Sequence, residues 1–272
     1  MNISTSRLKT YKACKRLYYF KYVEELESTQ TISTLEDGKS YHSMIEELYN
    51  TGNVDVDLNN PKISAMALAY QKHIYPKFKV VAAEQEFEYE LFANHNLVGR
   101  YDGVAEDGCI VEHKTTSHDV DDEYIYGLQW DEQILNYMLA SGKNKIYYTV
   151  CKKPTIRQKQ NETAEEFLQR CIEWFEVDTD LKIRVLAVER NQQEIDEQKK
   201  HLVFIINQMV AEEMTEKIYN NSGMTHYYRN HSHCTTYGRR CQFASICLEY
   251  DPKIEYIEFR KKEKEEIKTE VF

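Results

Sequence analysis

The sequence predicts an α/β (α+β) fold: a mixed central sheet, part of it a three-strand antiparallel meander, flanked by helices. Three observations predict it. Apolar residues recur at helical intervals up to about residue 75; between Phe78 and Thr116 the period changes to two; and beyond that, β-branched and aromatic runs at 145–153 and 182–190 alternate with helical stretches. No internal repeat, low-complexity linker or clear boundary divides the 272 residues, which predicts one domain burying roughly three quarters of the surface its unfolded chain exposes.

The elements follow in order. Residues 4–22 read as a helix, with "STS" offering caps and Leu8, Tyr11 and Tyr18 recurring on one side. A second helix covers 34–50, with Leu35, Met44, Ile45 and Leu48 as its apolar side. A third spans about 61–75 and opens on Pro61, whose fixed φ suits a first turn. The alternating stretch from Phe78 to Thr116 carries turn signals at "NHN" and "EDG", which divide it into three antiparallel strands. Helix resumes over 123–140, then comes the strand "KIYYTVCKK" and a short helix at 162–173. The strand "KIRVLAVER" precedes a long amphipathic helix over 191–218, and the tail "EFRKKEKEEIKTE" reads as a solvated or frayed helix laced with charge pairs.

Composition narrows the function classes. No run of eighteen apolar residues and no signal-peptide core are present, so a cytoplasmic protein with no membrane contact is expected. Seven cysteines, an odd number, do not suit a disulfide framework in a reducing compartment. A net charge of −10 argues against coating nucleic acid through bulk charge, yet it leaves room for an enzyme whose metal site needs carboxylates and whose substrate groove alone is basic. The basic residues Arg7, Lys9, Lys12, Lys15, Arg16 and Lys21 cluster near the start and interleave with Tyr18, Tyr19 and Tyr22. Those rings could stack on bases, although packing in the core is the commoner use of tyrosine. No phosphate loop of the form G-x-x-x-x-G-K-[ST] occurs, so any strand unwinding falls to a partner, a helicase or recombination protein.

The stretch "GRYDGVAEDGCIVEHKTTS" places Asp102, Glu112 and Lys114 on two strands around an Asp-Gly turn. Strand alternation puts Glu112 and Lys114 on one side and Val111 and His113 on the other. Two converging carboxylates repel unless a cation lies between them, and hard oxygen ligands suit Mg²⁺ or Mn²⁺. A lysine beside such an ion can orient an attacking water or neutralise charge on a phosphate. Spacing alone also fits a solvated hairpin face with a Glu/Lys pair; the apolar lead-in of Ile110 and Val111 favours burial.

Three cysteines, Cys234, Cys241 and Cys247, fall within "CTTYGRRCQFASIC", and soft thiolates so close point to a metal or cluster. The candidate fourth ligand is Cys14, far upstream. Zinc is the rival occupant, with His231 or His233 able to replace a thiolate, although the six residues between Cys234 and Cys241 exceed the two to four favoured by zinc knuckles. Cys109, Cys151 and Cys171 stand in apolar or strand-like contexts that suit packing.

"GRYDGV", "IVEHKTTS" and "QILNYMLA" resemble the ordered Asp, Glu-x-Lys and Gln-x-x-x-Tyr motifs of the PD-(D/E)XK nuclease superfamily, in its RecB-type branch, and the likeness runs from about residue 4 to 248. It implies a restriction-endonuclease-like fold with Asp102 and Glu112 binding Mg²⁺ or Mn²⁺, Lys114 as catalytic lysine and the His113 carbonyl as a further ligand. Gln133 and Tyr137, four apart on one helical face, would support the site or contact DNA. The same resemblance makes His42 in "DGKSYHSMIEEL" a ligand on an early helix. Glu84 or Glu86 could add a carboxylate, with alternating charge on an edge strand as the plainer and favoured reading.

The cysteines are similar to the one-plus-three set of iron-sulfur RecB-type nucleases, those associated with CRISPR adaptation and the nuclease domains of recombination helicase complexes. The resemblance implies a four-iron, four-sulfur cluster on Cys14, Cys234, Cys241 and Cys247, a clasp formed by residues 1–25 and 220–250, ahead of a charged tail at 251–272. Activity on single-stranded DNA ends, with Lys15 and Arg16 guiding the strand, completes the expectation. Its competitor is a catalytically silent iron-sulfur or zinc subunit serving DNA binding or assembly.

Overall fold

Strand β5 (Ile110–Thr116) carries the central part of the candidate site, and its surroundings explain its composition. It lies between β4 (His95–Ala105), antiparallel, and β6 (Lys145–Lys152), parallel; β6 in turn pairs antiparallel with β7 (Ile183–Glu189). The sheet is therefore mixed, as expected. With a neighbour on each edge and helices over it, β5 buries Ile110, Val111, Glu112 and His113 in succession, the pattern of a strand covered on both faces.

The computed structural model describes residues 1–29, 33–219, 225–236, 238–248 and 259–262. The chain forms two compact units, one of Met1–Thr31, Glu88–Gly99 and Glu197–Phe272, the other of Ile32–Phe87 and Arg100–Asp196. No helix among the described residues is long and apolar enough to cross a membrane.

In the second unit the expected helices form α3 (Ser33–Thr51), α4 (Pro61–His73, with Pro61 in its first turn) and α7 (Ala164–Phe175). Helix α7 starts where Thr163 and Glu166 exchange side-chain and main-chain hydrogen bonds, a reciprocal cap. Tyr41, Ile45 and Leu48 of α3, Ile63, Met66 and Tyr70 of α4, and Phe167, Cys171 and Phe175 of α7 meet Cys151 and Ile183 of the sheet in one core. Each large side chain there contributes about 1.5–3 kcal/mol by leaving water. Cys109, Cys151 and Cys171 are free and buried, as packing residues are.

The expected helix over 123–140 is instead broken into α5 (Asp122–Gly127), a 3-10 turn at Leu128–Trp130, and α6 (Glu132–Ser141). Asp131 causes the restart. Its extended backbone ends the turn, and its carboxylate accepts the Gln133 N–H at 3.0 Å and the Tyr148 hydroxyl at 2.7 Å.

The long hairpin of β3 (Val80–Phe92) and β4 gives its tip to the first unit and its base to the second. Its connection is Ala93–Asn94, both at positive φ (44° and 62°), rather than the expected "NHN"; two left-handed residues match the strands' twist. The "EDG" turn forms as expected, with Gly108 at φ 76°. Gly103 is required for another reason. A Cβ there would lie 2.9 Å from Val80 Cγ1 and 3.3 Å from the Ala82 carbonyl, so β3 crosses where only a hydrogen fits.

In the first unit β1 (Asn2–Ile3) pairs in parallel with Asn96 and Leu97. The predicted helix 4–22 breaks at Cys14, which is extended (φ −161°), between α1 (Thr5–Ala13) and α2 (Lys15–Tyr18), and a π-helical turn follows at Tyr19–Val23. The break is compensated because the Asn230 side-chain amide donates to the Ala13 carbonyl at 2.7 Å. Helix α8 (Gln192–Tyr219) matches the expected long helix. The described part of the charged tail is not helical. Phe259–Lys261 forms β10, antiparallel to β2 (Leu26–Ser28), because Phe259 stacks on Phe243 at 5.1 Å in a small core with Leu26 and Ile246. The remainder of the tail lies outside the described residues. Short strands β8 (Thr235–Thr236) and β9 (Arg239–Arg240) and helix α9 (Ala244–Leu248) complete the unit.

Candidate active site

The β4–β5 ladder pairs Val104 with Ile110 and Gly103 with Val111 and ends there. One residue further on, Asp102 spans the opening by accepting the main-chain N–H of His113 on Oδ2 at 2.6 Å. Its other oxygen lies 3.2 Å from His42 Nδ1, on α3. Glu112 is only 2 % exposed. Its Oε1 pairs with the Lys114 ammonium and accepts Gln133 Nε2 at 2.9 Å. Gln133 also accepts Lys114 Nζ on Oε1 at 3.1 Å and donates to the Tyr137 hydroxyl at 2.8 Å; the Tyr137 hydroxyl donates to the Arg100 carbonyl at 3.0 Å. Of the sequence-derived residues, Asp102, Glu112, Lys114, His42, Gln133 and Tyr137 thus converge within one unit.

The electrostatics follow from this geometry. Burial pushes the Asp102 carboxyl up, but the hydrogen bond and charge of His42 and the His113 N–H outweigh it and hold Asp102 ionised, below the usual carboxylate range. Glu112 goes the other way: burial and then the Asp102 charge raise it, only partly offset by Lys114. Lys114 is raised in turn, because Glu112 and Asp102 overcome the cost of its burial. His42 is likewise raised, Asp102 outweighing burial.

The donor set fits a divalent cation. Nδ1 or Nε2 of His42 and one carboxylate oxygen each from Glu84 and Asp102 lie within 4.8 Å of one another, and nitrogen with hard oxygens suits Mn²⁺ or Mg²⁺. Glu112 Oε2 is buried without a hydrogen-bond partner among the described residues, which costs about 1–3 kcal/mol unless something binds it. Glu84, for which the sequence favours a plain edge-strand role, joins this group. It sits at φ 48°, a strained value for a residue with a side chain, and Arg100 holds its other side at 3.2 Å. Glu86 is more exposed and lies 3.5 Å from Arg100. The His113 ring turns to Tyr49 (3.1 Å) and Thr149, and burial lowers it to about 4, so the imidazole is neutral. Sequence reasoning missed Arg100, Asp131 and Tyr148; an Asp ahead of "EQILNYM" is the one cap signal that could have found Asp131.

Lys15 and Arg16 belong to the first unit and are engaged within it. Lys15 pairs with Glu212, and Arg16 donates through Nε to the Tyr227 carbonyl at 2.9 Å. Tyr18 is fully buried, packed edge-on against Tyr11 at 5.2 Å, while Tyr19 lies 5.3 Å from Tyr227. These rings serve the core.

Cys14, Cys234, Cys241 and Cys247 line one small cavity with Arg16, Arg229 and Phe243. The Cys234 carbonyl accepts the Cys241 N–H at 2.8 Å, and the Asn230 N–H points to Cys14 Sγ at 3.4 Å. The extended Cys14 that breaks the first helix is what turns its sulfur into this cavity's wall. Burial raises the Cys247 thiol, and Arg229 and Arg16 draw it back.

The profile of the PD-(D/E)XK nuclease superfamily matches residues 2–69 and 59–248. No curated protein matches the chain. Among solved structures, the chain is similar to an alkaline exonuclease (LHK-Exo) from Laribacter hongkongensis, at 12 % identity over 81 % of this chain and 95 % of that one, with a TM-score of 0.38. It is also similar to a phage-related exonuclease from Haemophilus somnus 129PT, at 14 % identity over 64 % and 83 %, with a TM-score of 0.33.

Proposed function

The chain belongs to the PD-(D/E)XK nuclease superfamily, and from that premise we propose that it is a Mg²⁺- or Mn²⁺-dependent deoxyribonuclease that hydrolyses phosphodiester bonds at single-stranded DNA ends. The observation that carries the reading is the buried Glu112, with one oxygen fixed by Lys114 and Gln133 and the other unpaired among the described residues, together with the three ligand atoms that His42, Glu84 and Asp102 bring within 4.8 Å of one another. Asp102, Glu112 and His42 would hold the ion, with Glu84 completing the set. When bound, the ion acidifies a water and neutralises phosphate charge.

This chain's own residues do the rest. Glu112 and Gln133 fix the Lys114 ammonium, which orients the nucleophilic water and draws charge from a non-bridging phosphate oxygen. Tyr137 fixes Gln133, and Asp131 fixes the start of α6 on which both stand. The restart of that helix is thus part of the site's construction, because a continuous helix would rotate Gln133 away.

A four-iron, four-sulfur cluster on Cys14, Cys234, Cys241 and Cys247 accompanies this function. All four thiols line one cavity. The cluster's role is structural, a cross-link between the start and end of the first unit.

The test is a gel assay of end-labelled single strands with Mn²⁺, Mg²⁺ or EDTA. Metal-dependent shortening of the strand is expected, and no cleavage with either ion would end the reading.

A further inference from the structure

The turn between α5 and α6 presents two large aromatic rings to solvent. Trp130 is 74 % exposed and Tyr126 is 58 % exposed, the former the most exposed large apolar side chain among the described residues. Their centroids lie 6.3 Å apart at 78°, so the pair forms an open corner. Leaving both in water forgoes about 1.5–3 kcal/mol each.

The turn beneath them is firmly anchored. Leu128 is buried, and its carbonyl accepts Arg190 Nη2 at 3.0 Å. Asp131 ties the other end to Gln133 and Tyr148. Tyr124, on the same segment, is half-buried within electrostatic reach of Lys114 and Asp131. The rings are therefore held close to the catalytic lysine. Gln133 touches Lys114, and Asp131, the residue after Trp130, lies within electrostatic reach of it, so the backbone that carries the rings passes by the lysine.

The surrounding charges say which part of a strand can lie there. Asp122 and Glu123 are exposed on this segment and repel phosphate, whereas an uncharged base face is tolerated. We propose that Tyr126 and Trp130 are a stacking platform for an unpaired nucleobase next to the phosphate being cut, holding the strand by its bases while Lys114 receives its backbone. This rests on the nuclease reading above and adds a residue pair that sets affinity for single strands. Base–aromatic stacking tolerates any sequence, so the platform grips without reading.

Trp130 and Trp174 are the two tryptophans of the chain, which supplies a direct probe. In Trp174→Phe, emission comes from Trp130 alone. With EDTA present to prevent cleavage, oligothymidylate should quench it saturably, and an abasic deoxyribose-phosphate strand of equal length should not. In Mn²⁺, Trp130→Ala should raise the KM for single strands roughly five- to hundred-fold with kcat little changed, Trp130→Phe should restore most of the loss, and thermal denaturation should be unmoved. No quenching by oligothymidylate, or equal quenching by the abasic strand, overturns the platform and leaves the rings to a protein partner. An unchanged KM in Trp130→Ala overturns it too. Failure of the nuclease reading looks different: wild-type protein cleaves nothing, whatever Trp130 does in the titration.

Discussion

Lys114 and Glu112, two residues apart on β5, form an ion pair on the α6 side of the strand, with Gln133 bonded to both. The pair is almost closed to solvent at the carboxylate and partly open at the ammonium, with side-chain exposures of 3 % and 30 %. The acid is thereby fixed and the base can still meet a substrate.

Lys114→Ala should leave the fold intact and lower single-strand cleavage by roughly a hundred- to ten-thousand-fold. It should also cost about 1–3 kcal/mol, since Glu112 loses its cation. Circular dichroism, denaturant unfolding and the gel assay measure the three quantities separately. Full cleavage by the variant would show that Lys114 has no part in the reaction.

Divalent ions should stabilise the protein. Glu84 and Asp102 bring like charges together beside His42, and a ligand at a hundred times its Kd adds about 2.7 kcal/mol, or about 5 °C in Tm for a chain of this length. Mn²⁺ titrated against EDTA in a thermal-shift experiment reads this, and Asp102→Asn should abolish most of the shift. Equal shifts in both proteins would place the ion elsewhere.

Gly103→Val should destabilise by about 1–3 kcal/mol, because the added carbons collide with Val80 and the Ala82 carbonyl. As β3 also carries Glu84, the Mn²⁺-induced Tm shift should shrink alongside. Chemical denaturation with and without Mn²⁺ checks both; a variant as stable as the parent contradicts the packing described.

Single Cys→Ser changes at Cys14, Cys234, Cys241 or Cys247 should each remove iron, sulfide and the absorbance at about 400 nm from anaerobically purified protein. Cys109→Ser and Cys171→Ser, at buried positions away from that cavity, should retain them. Stoichiometric zinc in the colourless wild-type protein would replace the cluster with a zinc site.

Local chemistry made much of this molecule legible. The period-two stretch became β3, β4 and β5; Pro61 marked a helix start; and the order Asp102, Glu112, Lys114, Gln133, Tyr137 carried the family likeness. The misreadings share one physical cause. Cys14 and the turn at Leu128–Trp130 sit inside helical patterns, and partners distant in sequence break those helices: Asn230 takes the Ala13 carbonyl, and Tyr148 takes the Asp131 carboxylate. Phe259 likewise drew a charged segment into a strand by stacking on Phe243. The alternation of charge around Glu84 could not reveal that β3 bends there toward Asp102.

The sequence by itself determined which side chains share a strand face or a helix face, because those periods are properties of the local backbone. Only the tertiary structure decided that the β4–β5 ladder stops at Gly103, that Glu112 keeps one oxygen unpaired among the described residues, and that Trp130 stands in water. Those outcomes depend on register, strand separation and the helices packed across the sheet, which arise from contacts between residues far apart in the chain.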